Sequence, residues 1–360
     1  MNSTANAACY IQRIGTAVPE PFLDQTGSGE LLQHGCVSAR AAKLLQRVAK
    51  LTGIRKRHLA ALNHQSRDPN DDAMYRPATV QPQGPGMLAR TRVFEQESGP
   101  LVLRALRAIE PAELEQIGTL VTVSCTHASS PGLERPIFAN TPVPRAVHRW
   151  NLGFMGCSAG LAGLRLAKEA EATARDSLVV ACELSSLHFQ YTDQLDQMTA
   201  NVLFADGAAA VHLTARPGPA RVLAARSIAV PAFAEQMVWY AGDHGLALTL
   251  SQDLPETLAA HLPAAIDTFL RENGCSRSDV RHWLVHPGGP QILDAVESCL
   301  SLGGDALADS RAVFTEYGNM SSPTIFFILK RVLDAGAQGL AVAMAFGPGL
   351  TVELVLLQLS

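Results

Sequence analysis

The sequence predicts an α/β fold in which the sheets are covered by helices on both faces. Short apolar runs typical of buried strands alternate along the chain with longer segments of helical periodicity. Gly and Pro residues bound these runs, as expected where strands end in turns. Several of the turns contain a polar side chain, and the ends of strands are where α/β sheets place their functional groups.

The first part of the chain predicts strands and a helix in alternation. Leu120–Thr126 predicts a buried strand, because it is rich in Val and Thr. The helical spacing of Leu and Ala predicts a helix over 157–174. The apolar runs Ser177–Cys182 and Ala208–Thr214 predict the next two strands.

The second part of the chain repeats this alternation. His282–His286 predicts a strand, and the apolar periodicity of Gln291–Leu302 and Pro323–Ala335 predicts two helices. Gly339–Phe346 and Thr351–Gln358 predict the last two strands, since both are apolar and follow a glycine-containing turn.

The chain of 360 residues is long enough for two halves of ordinary domain size. The segment 214–222, which contains Pro and Gly, is the best candidate for the seam between the halves. We therefore predict halves at 1–215 and 216–360. Residues 62–90 are rich in Asn, Asp, Pro, Gln and Gly, which predicts a long surface loop.

Composition excludes several classes of protein. The net charge of -4 gives no basic field for nucleic acid, and the low charged fraction of 17% is typical of a compact enzyme. The seven cysteines are scattered, with no CxxC pair and no metal spacing, so neither a disulfide scaffold nor a metal site is expected. No signal-like N-terminus and no apolar run of about 18 residues is present, so we expect a cytoplasmic protein without a membrane span.

The setting of Cys157 is the most informative feature of the chain. A glycine precedes this cysteine, small residues follow it, and the predicted helix then begins. A thiol at a helix N-terminus meets free N–H groups and about half a positive charge, which favour the thiolate. Cys157 is therefore a candidate nucleophile. A free cysteine is also often a small buried core residue, so both interpretations stay open at this point.

Two other turns contain a polar residue between small ones. His286 begins the segment His-Pro-Gly-Gly-Pro, and Asn319 lies in Tyr-Gly-Asn-Met-Ser-Ser-Pro. Taken singly, the histidine is equally a structural turn residue and the asparagine is more often a helix cap. Together with Cys157 they form a Cys–His–Asn set, in which imidazole activates the thiol. Cysteine proteases use the same residue types, so the set alone does not decide the reaction.

Segments spread along nearly the whole chain resemble, in order, the signature segments of type III polyketide synthases, the chalcone synthase family. The combination of His-Pro-Gly-Gly-Pro with Gly-Asn-Met-Ser-Ser and Phe-Gly-Pro-Gly-Leu-Thr is highly specific. The segments are Ile14–Pro19, Ile54–Arg57, Gly156–Cys157 with its helix, Leu203–Ala210, His286–Leu293, Glu316–Ser322 and Phe346–Glu353.

The resemblance implies a homodimer with the five-layered αβαβα thiolase fold, made of two similar halves. It implies that an acyl-CoA starter is loaded on Cys157. Malonyl-CoA is then decarboxylated, and iterative Claisen condensation and cyclisation give a pyrone, resorcinol or phloroglucinol-type product. By motif match, His286 and Asn319 are the decarboxylation and oxyanion pair. No metal and no cofactor is implied, since CoA thioesters are the substrates.

The resemblance also gives candidates for the cavity. Phe204 matches the aromatic gatekeeper between the CoA tunnel and the cavity, and Leu248 falls where plant enzymes have a second aromatic gatekeeper. His127 and His188 fall where plant enzymes place small hydroxyl residues, although a histidine beside a strand is more often structural. The hydroxyl of Ser321 holds the Asn319 loop or caps a helix.

For the CoA phosphates, Arg47 matches a basic residue that family members use at the tunnel mouth. Lys50 and Arg55, with Lys43 nearby, are further candidates, because Arg and Lys bind phosphate through charge-assisted hydrogen bonds. A solvated helix face explains each of these residues equally well.

The alternative function lies in the same superfamily. An initiating-type β-ketoacyl-carrier-protein synthase of fatty acid synthesis also uses Cys–His–Asn, but is expected to show His-Gln-Ala-Asn where this chain has His286-Pro-Gly-Gly. A cysteine protease or amidase has unlike segments around its nucleophile. A non-catalytic paralogue is disfavoured because all three catalytic positions are filled.

Overall fold

The computed structural model describes residues 8–64, 73–170 and 175–360. It confirms an α/β fold. The strands are β1 Tyr10–Ala17, β2 Phe22–Asp24, β3 Lys56–His58, β4 Ile117–Val123, β5 His148–Leu152, β6 Asp176–Leu184, β7 Asp206–Thr214, β8 Ala220–Ala229, β9 Met237–Gly242, β10 Gly245–Leu250, β11 Val280–Val285, β12 Gly339–Gly347 and β13 Thr351–Leu359. The α-helices are α1 Gln25–Leu32, α2 Ala39–Leu51, α3 Met87–Leu106, α4 Pro111–Leu114, α5 Glu134–Asn140, α6 Ala159–Ala170, α7 Leu195–Leu203, α8 Leu254–Glu272, α9 Pro290–Cys299, α10 Ala308–Tyr317 and α11 Thr324–Asp334.

The main sheet has the strand order β11-β12-β13-β8-β1-β7-β6-β4-β5. Strands from the first part of the chain lie on one side of β8 and strands from the second part on the other. The two groups are joined where β1 pairs with β8 at only two positions, Tyr10 with Arg221 and Ile11 with Ala220. The chain crosses from one group to the other between β7 and β8, at 215–219. The division at 215/216 stays a prediction.

Side chains alternate between the two faces of each strand and so contribute to different cores, which separate five layers. Val121 and Val123 of β4 face a central core that also contains apolar residues of α6, α11, β12 and β13. Leu120 faces the opposite core, which α3 covers. On the far side, Val342 and Met344 of β12 face a third core covered by α8 and α9. The two groups of strands thus form the two sheet layers, with helices between them and on their outer faces. This order of helix, sheet, helix, sheet and helix is the five-layered αβαβα thiolase fold expected from the sequence.

Several predicted boundaries were wrong by a few residues. The strand β4 ends at Val123, because Ser124–Thr126 turns to place its N–H and hydroxyl groups on the buried carboxylate of Glu183. The helix predicted over 157–174 begins as an α-helix at Ala159, and 171–174 lies outside the described residues.

The prediction of a surface loop over 62–90 was wrong in part. Residues 62–64 belong to a 3-10 helix and α3 begins at Met87, while 65–72 lies outside the described residues. Tyr75 is buried, and its ring packs edge-on against Phe189 at 5.3 Å between centroids. A short apolar stretch within a polar segment is enough to draw the chain back into the core.

Within the described ranges, no helix is long and apolar enough to cross a membrane.

Candidate active site

The turn that contains Cys157 is shaped by its neighbouring glycine. Gly156, Cys157 and Ser158 form a 3-10 turn that leads directly into α6. Gly156 has a φ of +59°, which L side chains rarely adopt. A Cβ there would also lie 2.7 Å from Cδ of Pro348, in the Phe-Gly-Pro-Gly segment. This segment, from the second part of the chain, therefore packs directly on the nucleophile turn.

A second glycine brings the Asn319 loop against the same helix. Gly160 lies so close to the carbonyl oxygen of Ser322 that any side chain would collide with it. Glycine at this position of α6 thus lets the 319–322 loop lie directly against the N-terminus of the helix.

Asn319 is held at both its backbone and its side chain. Its N–H donates to the carbonyl of Leu203 at 2.9 Å, and its carbonyl accepts from the N–H of Ala205 at 2.8 Å. Its Oδ1 accepts from the N–H of Ser321 at 2.8 Å, which orients the amide. The Nδ2 group is then available as a donor, and it lies 3.8 Å from Sγ of Cys157. The Asn319 amide is therefore aimed at the sulfur.

Ser321 supports this arrangement from a strained backbone conformation. Its φ is +57°, a region that costs a non-glycine residue on the order of 1 kcal/mol. Its side chain is buried beside Cys157, and its hydroxyl acts to lower the pKa of that thiol. Ser321 thus contacts the nucleophile as well as shaping the loop.

His286 follows the end of β11 and is fully enclosed. Its N–H donates to the carbonyl of Met344, and only 1% of the residue is exposed. Burial lowers the pKa of His286 to about 3, while the Asn319 side chain acts in the opposite direction. Neither ring nitrogen makes a well-formed hydrogen bond within the described residues. The imidazole is therefore neutral at rest and keeps a nitrogen free to accept a proton.

The environment of Cys157 differs from the sequence expectation. Burial raises the pKa of the Cys157 thiol to about 11, and the hydrogen bonds from Ser321, Asn319 and the turn's own backbone act to lower it. The N-terminal turn thus favours the thiolate as predicted, but desolvation is the larger effect. Burial therefore penalises a charge on either of these two groups alone.

Glu183 is a residue that supports the candidate site and that sequence reasoning missed. Its carboxylate is fully buried and accepts hydrogen bonds from the N–H groups of Cys125 and Thr126 and from the hydroxyl of Ser322. It ties the end of β4 to the Asn319 loop. A glutamate inside an apolar strand is the signal that could have found it, because a buried carboxylate needs several donors.

The two gatekeeper candidates lie against Cys157. Cys157, Phe204 and Leu248 belong to one small apolar cluster. The Phe204 ring meets Trp239 edge-on, with 5.6 Å between ring centroids. Trp239 pairs directly across the β9–β10 hairpin with Leu248. Trp239 was missed by sequence reasoning, and the turn Gly-Asp-His-Gly at 242–245 was the signal, since counting outward from it places Trp239 opposite Leu248.

Two cavities adjoin this cluster. The larger has a volume of about 460 Å³, including the part open to solvent, and most of its wall is apolar. The smaller lies beside Gly156 and Ser321. Both are lined by Ser185, Trp239 and Leu246. The indole of Trp239 is thus part of the wall of both cavities.

His188 lines the larger cavity but is occupied by the backbone. Its Nδ1 accepts from the N–H of Leu246, and its Nε2 donates to the carbonyl of Thr126, both at 3.1 Å. Burial lowers the pKa of His188 to about 3, so the ring is neutral with one defined tautomer. It holds the β9–β10 hairpin onto the strand ends.

His127 does not line either described cavity. Its ring packs on Phe94 at 4.7 Å between centroids, and its Nε2 lies 2.9 Å from the Ser129 hydroxyl. The structure therefore places His188, but not His127, on the cavity wall.

The basic candidates form an exposed stripe. Lys43, Arg47 and Lys50 project from α2 at helical spacing, and Arg55 is exposed shortly after the helix. The helix α2 packs on α7, whose last residue directly precedes Phe204. This stripe therefore lies on the same part of the fold as the gate.

The family follows from two comparisons that cover the chain. A family model for chalcone and stilbene synthases, N-terminal domain, matches residues 1–217, and one for the C-terminal domain matches 222–359. The chain belongs to the chalcone and stilbene synthase family.

Among its relatives, 1,3,6,8-tetrahydroxynaphthalene synthase of Streptomyces coelicolor is 30% identical over 96% of this chain and 90% of that protein. The "alpha-pyrone synthesis polyketide synthase-like Pks18" of Mycobacterium tuberculosis is 28% identical over 95% of this chain and 89% of its own length. Both support the type III polyketide synthase reaction over the carrier-protein alternative.

Solved structures of polyketide synthases superpose on nearly the whole chain. The PKS-I enzyme of the brown alga Ectocarpus siliculosus superposes with a TM-score of 0.89 and 28% identity over 100% of both chains. The bacterial type III polyketide synthase from Streptomyces coelicolor superposes with a TM-score of 0.84 and 27% identity, over 97% of this chain and 99% of that one. This chain is therefore a type III polyketide synthase with a thiolase-like fold.

The pKa values predict how the thiol depends on His286. In a His286→Ala variant, only the burial-raised pKa of about 11 governs Cys157, so thiolate forms only as the pH rises toward that value. We expect alkylation of Cys157 by iodoacetamide at neutral pH to fall about tenfold or more and to recover at alkaline pH. Peptide mass spectrometry separates Cys157 from the other cysteines. The control is His282→Ala, which removes a partly exposed histidine of the same strand. Identical pH profiles for His286→Ala and wild type would contradict the prediction.

The position of Trp239 predicts a change of acyl specificity. A Trp239→Ala variant removes the wall common to both cavities, so we expect longer acyl-CoA starters to be used better than short ones, about tenfold in relative kcat/KM. Product masses and initial rates over a series of acyl-CoA lengths measure this. Tyr240→Ala, which removes the exposed neighbouring aromatic, is the control. An unchanged length preference in folded Trp239→Ala would count against this role.

Proposed function

We propose that this type III polyketide synthase loads an acyl-CoA starter on Cys157 and extends it with malonyl-CoA, using His286 and Asn319 as donors. The observation that supports it is the convergence of thiol, imidazole and amide in one buried site, from three turns that are distant in sequence. Such preorganised groups in a water-excluded site are what acyl transfer through a thioester requires.

Loading begins with a proton transfer. His286 accepts the thiol proton, and the imidazolium and thiolate form together, since their mutual attraction offsets the desolvation of each. The sulfur of Cys157 attacks the starter carbonyl, while Asn319 Nδ2 and the imidazolium donate hydrogen bonds to the oxygen. The carbon–sulfur bond to CoA then breaks, and CoA leaves with a proton from His286. The starter is now a thioester of Cys157.

Extension uses the same two donors. When malonyl-CoA loses carbon dioxide, the electron pair of the broken carbon–carbon bond moves into an enolate whose oxygen accepts hydrogen bonds from His286 and Asn319. The enolate carbon attacks the acyl carbonyl on Cys157, and the thiolate leaves. The β-keto chain on CoA then returns to Cys157 for another cycle.

Cyclisation takes place beyond the gate of Phe204 and Leu248. The mostly apolar larger cavity suits a chain that folds away from water, and its ring closure gives a pyrone, resorcinol or phloroglucinol-type product. We propose that His188 acts on the chain by shaping this space, and that Ser321 shapes the smaller cavity beside Cys157. His127 is proposed only as a support for the wall, since its ring packs on Phe94.

CoA is proposed to bind at the exposed basic stripe. Arg47, Lys50 and Arg55 can hold its phosphates by charge-assisted hydrogen bonds while the pantetheine arm enters past Phe204. The side chains and the CoA thioesters supply all the chemistry in this scheme, so no metal and no cofactor is included. Within the described residues all cysteines are free, which supports a reducing, cytoplasmic setting.

A homodimer is supported by the edge of the main sheet. The strand β5 is the outermost strand, with no further strand paired to it within the described residues. Four of its five residues are exposed, including Trp150 at 51% exposure, and Phe154 just beyond the strand is 58% exposed. An exposed edge with large apolar side chains is a template for pairing with a second copy. Phe154 also lines the smaller cavity, so a partner seated there would cover its wall.

Single-residue variants test the catalytic scheme. Cys157→Ala should abolish condensation of acyl-CoA with malonyl-CoA but leave release of carbon dioxide measurable. Asn319→Ala should lower decarboxylation by about a hundredfold or more, because an oxyanion donor is lost, while acylation of Cys157 falls less. Radiolabelled malonyl-CoA and mass spectrometry of the acyl-enzyme give the two rates. Condensation by Cys157→Ala would disprove the scheme, as would undiminished decarboxylation by Asn319→Ala.

A charge on the exposed edge tests the dimer. Trp150→Glu should convert a dimer to a monomer in size-exclusion chromatography with light scattering, because the carboxylate would be buried between two copies. Tyr240→Glu changes an equally exposed aromatic elsewhere and should leave the dimer intact. A dimeric Trp150→Glu protein would exclude this edge as the interface.

A further inference from the structure

Arg57 is a buried arginine that the catalytic scheme does not use. Only 3% of the residue is exposed, and no carboxylate forms an ion pair with it within the described part of the chain. Burial lowers its pKa to about 10, while Tyr75 and Asp206 act in the opposite direction. The guanidinium therefore keeps its charge at neutral pH, and a buried charge requires strong partners.

Those partners are backbone carbonyl groups beside the gate. Nη1 donates to the carbonyl of Asn201 at 2.7 Å and to that of Phe204 at 3.1 Å, and Nε donates to the Ser28 hydroxyl at 3.4 Å. Asn201 lies in the last turn of α7, where carbonyl groups lack helical partners and carry partial negative charge. Through these hydrogen bonds, Arg57 holds the C-terminal end of α7 and the residue that follows it in place.

The same segment holds Asn319. The N–H of Asn319 bonds to Leu203, and the N–H of Ala205 bonds to Asn319, which makes a short parallel bridge around Phe204. Gly318, with a φ of +74°, lies so that a Cβ would be 3.3 Å from Cγ of Arg57. Arg57 therefore lies against both strands of the bridge, and a side chain at position 318 would be strained and crowded there.

We propose that Arg57 is a positioning residue for decarboxylation: by holding the carbonyl groups of Asn201 and Phe204, it sets the bridge that aims the Asn319 amide at the substrate. The proposal rests on the proposed role of Asn319. Displacing a catalytic donor by about 1 Å costs on the order of a hundredfold in rate, so a remote residue can control the chemical step.

The chemistry of the guanidinium explains why arginine stands here. Its planar fork can reach two carbonyl oxygens and a hydroxyl at once, whereas a lysine ammonium is a compact charge on a flexible stem. The neighbouring basic residues cannot replace it, because Arg55 and Lys56 are exposed. Arg57→Lys therefore keeps the charge but loses the geometry.

The test compares Arg57→Lys and Arg57→Met with wild type. We expect kcat for malonyl-CoA decarboxylation to fall about tenfold or more in Arg57→Lys and further in Arg57→Met, with KM changed less than about threefold. Thermal unfolding shows whether each variant is folded. If Arg57→Met does not fold, Arg57→Lys still tests the proposal. Ser28→Ala removes the Nε partner but not the bonds to the bridge, so its kcat should stay within about twofold of wild type.

A double variant separates positioning from general damage. If Arg57 acts through Asn319, then Arg57→Lys combined with Asn319→Ala is no slower than Asn319→Ala alone. If the two substitutions instead lower kcat by factors that multiply, the proposal is overturned. A wild-type kcat in Arg57→Lys would also overturn it, as would a loss of kcat in Ser28→Ala equal to that in Arg57→Lys. Undiminished decarboxylation by Asn319→Ala would instead refute the proposed function. A decarboxylation rate that falls in Asn319→Ala but not in Arg57→Lys would refute only the positioning role of Arg57.

Discussion

Exclusion of water from the reactive groups is the constraint on which the rest of the site depends. Burial disfavours a lone charge on Cys157 and on His286, so neither can be an ordinary ionised side chain. In the proposed scheme, charge therefore forms and disappears as a pair, next to donors that are already in place. The anchored amide of Asn319 supplies such a donor at no cost of reorientation. Exclusion of water also favours hydrogen-bond partners for other buried polar groups, and Glu183 finds them among the donors of two loops.

The site is assembled from loops of both parts of the chain, and small residues make the assembly possible. Pro348 packs on Gly156, and the carbonyl of Ser322 packs on Gly160. The backbone of Asn319 pairs with the residues on either side of Phe204. The first two of these contacts leave no room for a larger side chain at the glycine. The signature segments of the family are therefore surfaces that fit one another, besides being the carriers of catalytic groups.

The gate illustrates how one fold supports different cavities. Leu248 is aliphatic where plant enzymes are expected to be aromatic, but its cross-strand partner is Trp239, which meets the Phe204 ring. An aromatic group is thus supplied from the other strand of the hairpin. Facing side chains on a hairpin occupy adjacent space. Either of the two positions can therefore carry the large side chain without a change in the backbone. The relatives, at about 30% identity, have ample freedom to differ in this wall.

The sequence by itself determined the alternation of strands and helices, and through its motifs it identified Cys157, His286 and Asn319. These follow from local periodicity and from turns, which a chain displays directly. Only the tertiary structure decided that His188 lines a cavity while His127 does not, that Tyr75 is buried, and that desolvation outweighs the helix terminus at the thiol. It also revealed Glu183 and Arg57, whose partners lie far away along the chain. Burial and hydrogen bonding are properties of segments packed together, so they depend on contacts between residues whose spacing in the sequence carries no signal.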